Sequence, residues 1–257
     1  MRTPITYWGG KQQLAPVILP LIPDHVTYCE PFFGGGAIFF QKKPSEVEII
    51  NDLNRSVVNF YRQVREQFDE LQAKIQGTLH SRSEHDDALV MYQNPHLFSN
   101  LERAWSFWVL TNQGYSGKIG TWGYGTICPS NEKKLDNRRN EFTATLQKRL
   151  ARVQIECEDA LKIIRLRDRP TTFFYLDPPY FNSNMGHYGG YTEADFIALL
   201  EACSNIKGTF LMSSYPSPVL ANFVRNQGWY YREIEMAKPS GSTKARKIEA
   251  LTANYPI

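Results

Sequence analysis

The chain has 257 residues, a formal charge of +3 and an apolar share of 42%, which suits one large α/β domain, or one domain with a sizeable insertion, around a proper core. So weak a basic balance permits a nucleic-acid partner without demanding one, because phosphate contact depends on local clusters of Lys and Arg. Cys29, Cys128, Cys157 and Cys203 stand far apart with no Cys-x-x-Cys pair, so neither a zinc site nor a disulfide framework is indicated, and free thiols in a reducing compartment are expected.

Met1 to Thr6 lack the apolar run of a signal peptide, and no later run reaches bilayer length, so a cytoplasmic protein without membrane contact is expected. Tyr7-Trp8-Gly9-Gly10-Lys11 follows, an aromatic pair, two permissive glycines and a cation. The glycines let backbone approach a ligand and Lys11 can meet a carboxylate; a surface turn is the plainer alternative. The upstream glycine and trailing Ser/Thr of a Walker A loop are missing.

Val26 to Cys29 reads as a strand, Glu30-Pro31-Phe32-Phe33-Gly34-Gly35-Gly36 as a glycine loop, and Ala37 to Lys42 as a helix, the order in which a dinucleotide fold holds a nucleoside. The spacing departs from G-x-G-x-x-G and disfavours a pyrophosphate. A second strand, Val47 to Ile50, delivers Asn51-Asp52-Leu53-Asn54, and an acid there commonly takes ribose hydroxyls. Asp52 also suits a helix cap, since Val57, Phe60, Val64, Phe68, Leu71 and Ile75 mark one helical face.

Between residues 62 and 150 helical signals prevail. A polar helix is expected around Ser83 to Tyr92, then another carrying Leu101, Ala104, Trp105, Trp108 and Val109. The loop Thr111 to Lys118 is rich in amides and glycine, and Gly120 to Gly125 suggests a hairpin tip. Lys133, Lys134, Arg138, Arg139, Lys148, Arg149 and Arg152 then form a basic run, either a solvated helix face or a set of phosphate contacts.

Val153 to Cys157 is expected as a strand, with Glu158-Asp159 opening a helix through Ile164. The apolar run Thr171 to Leu176 then reads as a buried strand stopped by Asp177-Pro178-Pro179-Tyr180, because proline cannot donate to a ladder. The carboxylate, the prolyl carbonyls and the aromatic face at that strand end can hold an exocyclic amine and stack on its base; a Pro-Pro turn with a solvated Asp is the bland alternative. Phe181 to Tyr191 has the composition of a lid, and His187 within it reads as a loop or DNA-contacting side chain. A helix from Thr192, a strand Thr209 to Tyr215, a helix Val219 to Asn226 and a terminal strand pair, Trp229 to Met236 with Ile248 to Tyr255, complete the chain.

The Tyr7 to Lys11, Glu30 to Gly36, Asn51 to Asn54 and Asp177 to Tyr180 motifs, in this order, resemble those of the Dam-like (alpha-type) adenine-N6 DNA methyltransferases. The ending Glu249 to Tyr255 resembles that family's C-terminus, and Asn112-x-Gly114-Tyr115-Ser116-Gly117 resembles its Asn-x-x-Gly-Tyr-Asn-Gly region, with Ser116 in place of an amide. The resemblance implies a Rossmann-like class I methyltransferase sheet with helices on both faces, formed by residues 1–61 and 151–257, and a target-recognition insertion at 62–150. It implies methyl transfer from S-adenosylmethionine to adenine N6 in double-stranded DNA by base flipping, as in restriction-modification or other DNA methylation. The expected catalytic residues are Asp177, Pro178, Pro179 and Tyr180, and the expected cofactor contacts are Tyr7, Trp8, Lys11, Glu30, Pro31, Phe32, Gly34, Gly36, Asp52, Asp159 and Asp177. Asn112, Tyr115, Ser116, Lys118, Lys133, Lys134, Arg138 and Arg139 are expected at DNA. No metal is implied, and a monomer or weak dimer is expected. Cytosine-N4 or RNA adenine-N6 methylation, or a catalytically silent DNA-binding regulator, are the alternatives.

Overall fold

A computed structural model describes residues 1–7, 9–124, 130–181, 190–236 and 247–257. In chain order its strands are β1 (Thr27–Glu30), β2 (Val47–Asn51), β3 (Gln154–Glu156), β4 (Thr172–Leu176), β5 (Thr209–Ser214), β6 (Tyr230–Met236) and β7 (Lys247–Ala253). Its α-helices are α1 (Ala15–Ile18), α2 (Arg55–Glu66), α3 (Phe68–Gly77), α4 (Arg82–Gln93), α5 (Asn100–Gln113), α6 (Ser130–Glu141), α7 (Ala144–Leu150), α8 (Ala160–Arg167), α9 (Glu193–Ser204) and α10 (Pro218–Gln227). Trp8, Gly125 and His187, and most of the expected lid, lie outside the described residues.

The chain divides into two compact units, Met1–Pro20 with Gly34–Lys43 and Asp52–Cys157, and Leu21–Phe33 with Pro44–Asn51 and Glu158–Ile257. Residues 62–150, expected as an insertion, lie within the first of these units. In the first unit α2 packs on α5 and α7, and the N-terminal segment is tied to α5 through Asn112, whose Nδ2 donates to the Pro4 carbonyl at 3.2 Å.

The second unit carries six strands in the order β2-β1-β4-β5-β7-β6. The first four run parallel, while β7 is antiparallel to both β5 and β6. Side chains alternate across the sheet. Phe174, Leu176, Phe210 and Met212 pack with Ile163 and Ile164 of α8, Phe196, Leu199 and Leu200 of α9, and Leu220 of α10 in one buried core. The alternate residues Phe173, Tyr175, Leu211 and Ser213 are buried too, as expected for central parallel strands covered on both faces.

The first unit is mainly helical around an aromatic core. Phe68 stacks on Phe142 at 5.4 Å with rings 2° apart, and Phe60 lies between Phe107 and Phe142 at 6.1 and 6.4 Å. The helical face expected to run from Val57 to Ile75 is broken at Gln67, which leaves the helical region at φ −131° and ψ 48°. Ser99 and Glu102 close a capping box on α5, satisfying amide groups the helix start leaves open.

The helix expected at Ala37 to Lys42 is instead a run of turns, with Phe40 N–H donating to Gly36 and Lys42 N–H to Ile38. Ile38, Phe39 and Phe40 are all buried, while Gln41 and Lys42 are half-buried. The Phe39 carbonyl accepts from Arg149 at 3.0 Å, and that guanidinium lies 3.5 Å above the Phe39 ring.

Candidate active site

Within the sheet unit, β1 and β4 are neighbours, with β2 on the outer side of one and β5 on the outer side of the other. The sheet order therefore reverses between β1 and β4, and ligands of open α/β sheets bind outside the carboxyl ends of the strands at such a point. Glu30 ends β1 and Asp177 follows β4 directly. Because β7 runs against β5, with Ser214 opposite Ala250, the start of β7 brings Glu249 to this same edge.

A chain of hydrogen bonds occupies the edge. The Tyr175 and Ser213 hydroxyls lie 3.1 Å apart. Ser213 Oγ donates to Asp177 Oδ1 at 3.1 Å, and the Tyr180 hydroxyl lies 3.4 Å from the same oxygen. The Tyr180 hydroxyl donates to Glu249 Oε2 at 2.7 Å, and its ring meets Tyr215 edge-on at 4.3 Å. Asp177 and Tyr180 are half-buried, whereas Tyr175, Ser213 and Glu249 are buried. Pro178 and Pro179 fix the turn between acid and ring, since their φ angles are locked and they offer no ladder donor.

Burial raises the phenol pKa values of Tyr175 and Tyr180 well above the ordinary range, and the charge of Asp177 adds to the effect. Tyr28 is raised likewise, by burial first and then by Glu30, to which it donates at 2.7 Å. All three tyrosines thus keep their protons near neutral pH, and Tyr28 and Tyr180 donate to carboxylates. Asn51 ties the loop after β1 to the start of α8. Its Nδ2 donates to the carbonyls of Pro31 at 2.9 Å and Glu158 at 3.0 Å, while its Oδ1 accepts the Glu158 N–H. Phe32 packs against the sheet core.

In the helical unit, Asp52 accepts the Gly34 N–H at 2.7 Å and the Asn54 N–H at 2.8 Å, one on each carboxylate oxygen. Burial raises its pKa and these two donors oppose the rise. Gly34 and Gly36 have φ of 48° and 65°, and a Cβ on Gly34 would lie 2.7 Å from the Tyr7 ring. The loop therefore requires glycine at position 34, both for its backbone and for the approach of Tyr7. Lys11 is buried, and its ammonium donates to the Gly9 carbonyl at 2.9 Å. A carboxylate held by two backbone N–H groups, each oxygen retaining acceptor capacity, fits the hydroxyl pair of a ribose. Asp159, in the sheet unit, is exposed and caps α8 by accepting the Lys162 N–H at 3.0 Å.

The residues expected at DNA separate into two groups. Tyr115, Lys118 and Lys133 are exposed and Lys134 is half-buried; Ser116 lies in a short 3-10 turn. Asn112 is 4% exposed; its Oδ1 accepts from the Thr6 N–H and hydroxyl, while its Nδ2 donates to Pro4 and Trp108 carbonyls. Arg138 donates to the Thr3 carbonyl at 2.8 Å and to Thr6 Oγ1 at 3.2 Å. Arg139 donates to the Thr78 carbonyl at 2.7 Å and pairs with Asp136. These three side chains tie the unit together. Arg2, Lys133, Lys134, Asn137, Arg138 and Glu141 line a cavity of about 360 Å³. There burial, then the neighbouring Arg138, lowers the Lys134 pKa.

Sequence reasoning missed Ser213, Glu249 and Tyr175 as site residues. Their signal was a serine pair closing the apolar run Phe210-Leu211-Met212 and an acid set in Ile248-Glu249-Ala250-Leu251.

Among the described residues, no group of His, Cys, Asp and Glu is arranged to hold a metal ion, and no helix is long and apolar enough to cross a membrane. The chain is similar to the Type II methyltransferase M1.LlaDCHI of Lactococcus lactis subsp. cremoris, with 26% identity over 98% of this chain and 95% of that protein. It is also similar to the Type II methyltransferase M.MjaIII of Methanocaldococcus jannaschii, with 28% identity over 75% of this chain and 74% of that protein. A shorter match, 26% identical over 42% of this chain and 15% of the relative, is to the DNA N-6-adenine-methyltransferase of Escherichia phage P1. The sequence model of the D12 class N6 adenine-specific DNA methyltransferases matches residues 7–233, and the chain belongs to that family.

Proposed function

We propose that this chain modifies adenine at particular sites in double-stranded DNA, with Asp177 to Tyr180 as the seat of the extruded base. The N6 amine donates its hydrogens to the Asp177 carboxylate and the Pro178 carbonyl, and the ring of Tyr180 stacks on the base. Two acceptors on one amine localise its lone pair toward the methyl donor. Catalysis is then positioning and electrostatics, without a covalent intermediate. The observation that carries this reading is the Asp177 carboxylate, fixed by Ser213 at 3.1 Å outside the strand end where the sheet order reverses.

S-adenosylmethionine supplies the methyl group when bound. Asp52 holds its ribose hydroxyls, the loop from Glu30 to Gly36 wraps it, and Tyr7 and Lys11 contact it; Asp159 keeps its helix-capping place. Tyr115, Lys118, Lys133 and Lys134 meet DNA, with residues 62–150 serving target recognition. Similarity to two Type II methyltransferases supports a role in restriction-modification. Incubating unmethylated plasmid with the protein and S-adenosylmethionine, then mapping modified positions by sequencing, tests the reading: modification at a fixed short sequence is expected, and unmodified or randomly modified plasmid contradicts it.

A further inference from the structure

Glu249 and Ser213 stand outside the motif that carries the acid and the ring, yet each hydrogen-bonds to it. Both are buried, at 1% and 0% exposure, on strands that also bury the apolar Leu211 and Met212 of β5 and Ala250 and Leu251 of β7. A buried carboxylate and hydroxyl are costly in such strands unless their hydrogen bonds are made. The bonds they make converge on two half-buried groups at the sheet edge. Tyr180 reaches back 2.7 Å to Glu249, while Asp177 Oδ1 receives Ser213 at 3.1 Å. With Tyr215 against its edge at 4.3 Å, the Tyr180 ring is held both at its hydroxyl and on its flank.

We infer that Glu249 and Ser213 are positioning residues for methyl transfer: Glu249 fixes the plane of the Tyr180 ring, and Ser213 fixes the carboxylate of Asp177. The inference rests on the reading that Asp177 and Tyr180 hold the target base. Neither residue touches the base itself. Each acts on the geometry of the reacting nitrogen, so its removal lowers the rate of transfer rather than the affinity for cofactor or duplex.

The test is a double-mutant cycle on single-turnover methylation of plasmid DNA at saturating S-adenosylmethionine, with cofactor and plasmid affinities measured alongside. Glu249→Ala is expected to slow transfer about 10- to 100-fold with both affinities within about twofold, and Glu249→Gln, which retains an acceptor, to recover most of the rate. If Glu249 acts through the Tyr180 hydroxyl, adding Glu249→Ala to Tyr180→Phe costs little beyond Tyr180→Phe alone, because the two changes remove the same bond. Additive losses, a wild-type rate for Glu249→Ala, or a rate loss matched by loss of cofactor affinity would each overturn the Glu249 assignment. Should Glu249→Ala fail to fold, the Glu249→Gln rate and Ser213→Ala, which deletes only a hydroxyl, carry the test. A slowed Ser213→Ala with intact affinities and a near-normal Glu249→Gln rate are expected, and wild-type transfer by Ser213→Ala overturns the inference. Asp177→Ala and Tyr180→Ala run in parallel separate the two ideas. Full activity in those variants defeats the base-seat reading, whereas their loss beside wild-type rates for Glu249→Ala and Ser213→Ala defeats the positioning inference alone.

Discussion

The Tyr180 hydroxyl donates a 2.7 Å hydrogen bond to Glu249, 69 residues further along the chain. A ring anchored in this way offers its face with little freedom to rotate, which suits stacking on an extruded base. Tyr180→Ala is expected to weaken base capture by about 1–3 kcal/mol, and Tyr180→Phe or Tyr180→Trp to recover most of the stacking. The ratio of rates at limiting and saturating plasmid checks this, since both variants lose the hydroxyl's bond to Glu249; the same ratio in the alanine and phenylalanine variants would remove the ring from the base seat.

Asp52→Ala is expected to weaken S-adenosylmethionine binding by about 1–3 kcal/mol through loss of charge-assisted hydrogen bonds to ribose. The carboxyl sits above the ordinary aspartate value of 3.8 because of burial. On acidification, affinity should therefore begin to fall above pH 3.8, as protonation removes the acceptor, and Asp52→Asn should not show that dependence. Titration calorimetry across pH decides it; unchanged affinity in a folded Asp52→Ala protein would take Asp52 out of the site.

Lys133→Ala combined with Lys134→Ala should reduce affinity for every duplex and flatten its salt dependence by about 0.9 in slope for each phosphate no longer neutralised. Tyr115→Ala should act on discrimination between sites instead. Binding isotherms at several salt concentrations check both, and an unchanged slope would make the paired lysines a solvated helix face.

Asn112 ties Thr6 and Pro4 to α5 from a buried position. Asn112→Ala should destabilise the protein by about 2–3 kcal/mol, since several buried partners lose their bonds together. Denaturant unfolding measures it. Intact stability with lost site discrimination would move Asn112 from the fold to the DNA interface.

The strand end before Asp177 was legible in the sequence because two prolines after a β-branched, aromatic run mark it whatever surrounds it. The strands and most helices followed from periodicity in the same way. Glu249 and Ser213 were not legible as partners, because the antiparallel register of β5 and β7 decides which polar residue of a terminal strand reaches the edge. The helix expected at Ala37 to Lys42 gave way to turns where Arg149 captures the Phe39 carbonyl, a tertiary interaction without local signal. Asn112, Arg138 and Arg139 show a further limit. An amide or guanidinium suits a phosphate or a buried carbonyl equally well, so the bonds these side chains make inside the unit had no signal in the sequence.

Asp177, as acceptor for the target amine, is the centre of the proposed chemistry. Removing one preorganised acceptor at a reacting centre is expected to lower the rate about 10²- to 10³-fold. The direct measurement is mass spectrometry of nucleosides from plasmid methylated by the wild type and by Asp177→Ala, with fold and duplex binding confirmed for the variant. N6-methyladenine from the wild type, and almost none from a folded, DNA-binding Asp177→Ala protein, is the predicted result. N4-methylcytosine as the sole product, or full N6-methyladenine formation by Asp177→Ala, would contradict it.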